Sequence, residues 1–284
     1  MKIIRKFRLS RIAPILVLLI LGSLIIYQTN FNELGFSVLS GIKKISGKGV
    51  NIEKIEKKHS VFIDHSLWTE ILKKNVSDGG KVNYKRLKND GILLAQYVDL
   101  LSKNPPGKNW DPEEKIAYWI NAYNAFTIKL IVDHYPVESI KDISNGIPMI
   151  NSPWDIKFFS INGVSLDLNT IEHEILRKEF SEPRIHFAIN CASSSCPVLR
   201  EEAYRGKILD SQLNDQAYRF MLDRKKNIIN LERTAISKIF DWFENDFTKE
   251  GSLKDFIQKY NNQLDSSNPI EYLKYDWGLN EFHK

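Results

Sequence analysis

Cysteine is nearly absent. Two stand in 284 residues, at 191 and 196, so the chain can form one disulfide at most. There is no repeat, no low-complexity tract and no glycine-rich phosphate loop; the serine run Ser193-Ser-Ser lacks the glycines and lysine that cradle phosphate. No βαβ rhythm of alternating strands and helices runs through the chain, which excludes a doubly wound sheet. A cationic body is missing too. The net charge of +5 comes from 40 Lys plus Arg against 35 Asp plus Glu. Five of the cations precede residue 12, and residues 28–58 add six lysines and three glutamates. Residues 59–284 are left with 29 cations and 32 anions, a net of −3, which argues against nucleic acid as a partner.

What is present begins at the N-terminus. Lys2, Arg5, Lys6, Arg8 and Arg11 precede an uncharged run from Ile12 to Tyr27. Sixteen residues make a helix of about 24 Å, slightly short for a bilayer core of roughly 30 Å, but Arg11 can snorkel and the following polar segment can sit in the interface. The charge asymmetry keeps residues 1–11 in the cytoplasm and sends the rest across. A cleaved signal peptide would want a small-x-small site, and Ile25 is followed by Ile-Tyr-Gln-Thr-Asn-Phe. The expected arrangement is a single-pass signal anchor at 12–27 in the cytoplasmic membrane, a lysine- and glycine-bearing stalk at 28–58, and one globular domain at 59–284 on the periplasmic or extracytoplasmic side.

Within that domain, 63–76 has helical spacing, ended by Asp78-Gly-Gly, and a second helix runs near 92–101. Asp111-Pro-Glu-Glu opens a long helix, with Asp111 as N-cap and Glu114 completing a capping box; Pro136 limits it to about His134. That helix is apolar nearly all round and so is buried on most sides. It carries Asn121 and Asn124 on one face, which need hydrogen-bond partners and serve either as a structural tie or as a pocket wall. Asn162-Gly163 predicts a type I′ hairpin between two short strands. Asn169 to Glu172 predicts a second capping box, on a helix that carries His173 and Arg177. Arg184 to Asn190 reads as a strand, with His186 and Asn190 on one face and Ile185, Phe187 and Ile189 on the other. A helix at 208–224, a strand pair near 228–236 and a last helix at 253–260 complete an α+β fold. It has a buried central helix and short, mainly antiparallel strands.

Three motifs stand in order: Trp119-Ile-Asn-Ala-Tyr-Asn-Ala, Leu168 to Arg177 with Ile-Glu-His at its centre, and Arg184-Ile-His-Phe-Ala-Ile-Asn-Cys through Ser195-Cys-Pro. With Ser237 to Phe247 they make residues 60–250 resemble the domain-of-unknown-function family 547. The resemblance supports the boundaries and marks these residues without naming a reaction.

The chemistry concentrates at 184–197. Cys191 and Cys196 could close a small disulfide loop in an oxidising compartment. Alternatively Cys196 is a nucleophile, His186 its base and Asn190 the orienter, with Asn121, Asn124, Glu172, His173 and Cys191 lining the pocket. By strand parity Cys191 points inward and Cys196 is the reachable thiol. His186-x4-Cys191-x4-Cys196 fits no usual zinc pattern, so neither metal nor cofactor is expected. Two functions are compatible with these alternatives. One is a thiol-dependent hydrolase or acyltransferase acting on a peptide or envelope component. The other is a noncatalytic envelope domain, binding a ligand or partner, with a structural Cys191–Cys196 disulfide.

Overall fold

The computed structural model describes residues 50–58, 60–144 and 152–282. The expected span at 12–27 lies outside them, as does most of the stalk. No helix among the described residues is long and apolar enough to cross a membrane. Residues 50–284 form one unit, which begins nine residues before the expected boundary at 59. Ile55 is fully buried. Lys57 pairs with the 106–108 backbone, its N–H donating to Pro106 O at 3.2 Å and its carbonyl accepting from Lys108 N–H at 3.0 Å. Among so many lysines and glutamates, one anchoring isoleucine is easily read as linker.

The long helix organises the rest of the domain. It spans Pro112–His134 and is preceded by α1 (Ser66–Asn75), α2 (Tyr84–Asn89) and α3 (Ile92–Lys103), so it is α4. From Ile116 to Val132 every residue of α4 except Lys129 is buried, as an all-round apolar sequence requires. The helix packs against α2, α3 and the segments after residue 166. α1 buries Trp68, Ile71, Leu72 and Asn75, positions i, i+3, i+4 and i+7, and Trp68 stacks on Tyr97 of α3 with ring planes 3° apart. The capping box expected at Asp111 does not form. Asp111 makes no side-chain cap, and Glu114 instead accepts a hydrogen bond from the Gly206 N–H at 3.2 Å.

The hairpin forms as the turn residues dictate. β1 (Phe159–Ile161) and β2 (Val164–Leu166) are antiparallel, with Asn162 and Gly163 at φ 51° and 74°, the left-handed pair of a type I′ turn. Phe159 stacks on Phe126 of α4, centroids 3.8 Å apart. Next comes a π-helix, Thr170–Leu176, running into an α-helical turn at Arg177–Glu179. The second expected capping box is also absent: Asp167 caps the Thr170 N–H at 2.7 Å, while Asn169 donates to Asp155.

The remaining elements are α5 (Ile185–Ala188), α6 (Leu209–Leu222), β3 (Ile228–Ile229), β4 (Thr234–Ile236), α7 (Lys238–Trp242), α8 (Glu244–Phe247), α9 (Leu253–Gln258) and β5 (Ile270–Tyr272). The last three strands form a sheet in the order β3-β4-β5, antiparallel then parallel. Phe187, Phe220, Phe240, Phe247 and Phe256 fill the core between α5 to α9 and this sheet. Mixed helix and strand content makes the fold α+β.

The expected strand before the cysteines is also overturned. Residues 184–190 are not a strand; α5 is a helical turn, and the chain becomes extended only at Ile189. Two physical reasons account for this. Ile185 to Asn190 are all buried, so apolar alternation carries no information about faces. Pro183 sits at the start of the turn, where its missing N–H costs nothing, and its carbonyl accepts the His186 N–H at 3.2 Å.

Candidate functional site

The helical turn changes where each candidate residue goes. His186 does not face a cleft; it is 2% exposed. The parity argument for the cysteines also reverses. Cys196 is 3% exposed, and Cys191 is the partly exposed one. The two sulfurs are joined in a disulfide across 6.3 Å between Cα atoms, so no free thiol remains.

Three donors converge on the Cys196 sulfur: the Cys191 N–H at 3.1 Å, the Ser193 hydroxyl at 3.1 Å and the Tyr275 hydroxyl at 3.3 Å. His186 is not among them, so the expected Cys196–His186 pair does not meet. Burial, chiefly, raises the Tyr275 hydroxyl pKa, which keeps that group protonated and a donor. The disulfide loop also holds a late segment of the chain. Ser194 N–H donates to Gly278 O at 2.7 Å, Ser195 N–H to Asp276 O at 3.2 Å, and Asn280 N–H to Ala192 O at 3.0 Å.

Asn190 orients the loop rather than a histidine. Its amide donates to Pro197 O at 2.7 Å, and its oxygen accepts from Ala192 N–H and from Asn280. Asn124 ties the segment after α5 to α4, donating to Ala188 O at 3.0 Å and accepting from Asn190 N–H at 2.8 Å. Asn121, one turn away, does the same for another segment, bonding both the N–H and the C=O of Tyr204. Of the two asparagines, Asn124 therefore reaches the cysteine loop's entrance and Asn121 does not.

His186 belongs to a second cluster. Its Nε2 meets Asp246 of α8 at 2.8 Å, and its ring lies on Phe243 with centroids 3.9 Å apart. Asp246 also pairs with Arg177 at 2.5 Å, and Arg177 donates to His173 Nδ1 at 2.9 Å. Burial works to raise the Asp246 pKa, but the hydrogen bonds from His186 and Arg177 and the charge of Arg177 outweigh it and hold the carboxyl well below the usual carboxylate range. Burial lowers the His186 pKa despite Asp246 and Glu172. We take Asp246 as the anion, with Arg177 as its counter-charge, and His186 as neutral. Nε2 then carries the proton, and Nδ1 presents a buried lone pair with no hydrogen-bond partner among the described residues. Glu172, on the π-helix, accepts from the Tyr123 hydroxyl at 3.2 Å. No group of three or more His, Cys, Asp or Glu among the described residues is placed to hold a metal ion.

Four residues of these clusters escaped the sequence reading: Tyr123, Asp246, Tyr275 and Asn280. Asp246 had a signal, since it stands inside the Ile239 to Phe247 aromatic motif as one of its few acids. Tyr275 and Asn280 lie about eighty residues beyond the cysteines, where no pattern links them to the loop.

No curated protein and no solved structure matches the chain. A family model matches residues 107–221, narrower than the 60–250 suggested by the motifs but enclosing those at Trp119, Leu168 and Arg184. The family that this model represents is described as "Protein of unknown function, DUF547".

Proposed function

We propose that the chain is a membrane-anchored envelope domain that acts by binding a peptide or envelope component, and that Cys191 and Cys196 serve it as a disulfide rather than as catalytic thiols. The observation that carries this reading is the disulfide itself, which takes up both cysteines of the chain. A disulfide of this kind persists in oxidising compartments, in keeping with export by residues 12–27 and a body outside the cytoplasm. The −3 charge of residues 59–284 leaves nucleic acid a poor partner. A periplasm-dependent reporter fused at Lys284 should be active; activity only from a cytoplasmic reporter would sink the topology.

One observation favours a second reading, a thiol-dependent hydrolase or acyltransferase. His186 is held by Asp246 with an unbonded ring nitrogen, the arrangement of an oriented base. Thiol titration separates the two. The binding reading expects no reactive thiol in the unreduced chain, folded or denatured, and two after reduction. The hydrolase reading expects one fast thiol near neutral pH, slowed in His186→Gln.

A further inference from the structure

The surroundings of the two sulfurs are unequal in a way that a purely structural staple does not need. Cys196 is buried and sits under three convergent donors, the Cys191 N–H, the Ser193 hydroxyl and the Tyr275 hydroxyl. A disulfide sulfur is a weak acceptor, so these donors are poorly used while the bond is intact. A thiolate at the same place would accept all three, and hydrogen bonds to a charged form favour that form. Cys191 is partly exposed; the same two hydroxyls also touch its sulfur, at longer range, Tyr275 at 3.4 Å and Ser193 at 3.6 Å, while the Cys191 N–H goes to Cys196 alone. Between them Ala192 is fully buried with φ 62°, a left-handed conformation that a residue with a Cβ rarely adopts. The loop that joins the two sulfurs is therefore held in a strained backbone.

We propose that Cys191–Cys196 is a redox-active disulfide that exchanges with a dithiol reductant, Cys191 being the sulfur attacked and Cys196 the leaving thiolate. This deepens the binding-domain reading and rests on its disulfide. In the first step a thiolate of the reductant forms a bond to Cys191 Sγ, and the electron pair of the S–S bond passes to Cys196 Sγ, where the three donors receive it. In the second step the other thiol of the reductant loses its proton to water and attacks the reductant sulfur of the mixed disulfide. Cys191 leaves as a thiolate and takes up a proton. Two electrons move: the dithiol becomes a disulfide, and Cys191 and Cys196 are reduced. A low leaving-group pKa speeds the first step, and the donors around Cys196 supply that. The burial of Cys196 and the exposure of Cys191 fix the direction of attack.

The test uses the oxidised full-length chain at neutral pH without denaturant. It is exposed to dithiothreitol, quenched by alkylation and read by mass, with near-ultraviolet circular dichroism as the check on folding. The disulfide should open while the fold persists, and thiolate absorbance should then show one thiol ionising well below the ordinary cysteine range. Tyr275→Phe and Ser193→Ala should each slow the opening several-fold and move that ionisation upward. Oxidised glutathione should trap Cys191 in Cys196→Ala and leave Cys196 untouched in Cys191→Ala. A disulfide that is present but opens only when the chain unfolds overturns this proposal and leaves the purely structural staple standing. So does an opening rate that neither hydroxyl deletion changes. Two titratable thiols in the chain as isolated overturn both.

Discussion

At the scale of single residues, the buried amides do the connecting. Asn124 satisfies a carbonyl and an N–H, those of Ala188 and Asn190, that are otherwise sealed from water. Replacing it by leucine keeps the branched shape and removes both partners, so Asn124→Leu should cost about 1–3 kcal/mol per orphaned group. A urea midpoint unchanged from the parent chain would show that the two backbone groups find water instead. The need for partners was legible in the sequence, because two asparagines on a helix apolar all round must be hydrogen-bonded. The partners were not legible, because they are backbone atoms 64 and 66 residues away, and backbone atoms leave no compositional trace. The same holds for His186. Its type marked it as notable, but its meeting with Asp246 sixty residues on depends on how α5 and α8 pack.

Elements were read well where local chemistry decides them. The type I′ turn at Asn162-Gly163 and the end of α4 at His134 follow from residues that tolerate few conformations. Reading failed where burial is complete, as at α5, and where a cap had a choice of partners, as at Glu114 and Asn169. The π-helix that carries Glu172 and His173 gave no signal, since its sequence suits an α-helix equally. A short turn shows how far one element depends on another. Gly80, after α1, has φ +70°, and a Cβ there would stand 2.5 Å from Val198 Cβ and 2.7 Å from Leu199 N, in the stretch following Cys196. Gly80→Ala thus adds a left-handed cost of about 1–2 kcal/mol to a contact with backbone that cannot rotate away. At ~2–4 °C per kcal/mol for a body of this size, the melting temperature should fall by at least ~2 °C. A melting temperature within a degree of the parent's would mean that 198–199 shifts freely, and that the turn does not brace the cysteine loop.

For the molecule as a whole, two buried histidines in different parts of the core make stability fall as the pH falls. His65 begins α1 in a left-handed conformation, with Nδ1 2.6 Å from the Tyr97 hydroxyl and the Tyr97 and Tyr118 rings around it. Burial, opposed only by nearby Asp64, lowers its pKa from 6.5 to about 4. His186 shifts in the same direction for the same reason. The folded chain holds both rings neutral, whereas the unfolded chain protonates them below pH 6.5. Between about pH 6.5 and 4 the unfolded state binds more protons, so stability falls as the pH falls. The stabilisation is complete above pH 6.5 and is lost as the pH drops through 4, with His65 alone contributing on the order of 3 kcal/mol across that window. Asp246 adds to the loss only at lower pH, because its carboxyl is held below the usual range. The variant that isolates His65 is His65→Asn, since asparagine tolerates the left-handed backbone and does not titrate. Chemical denaturation at pH 7, 6, 5 and 4 should show a shallower decline in this variant than in the parent. Parallel declines would place the acid sensitivity elsewhere and remove His65 from the account.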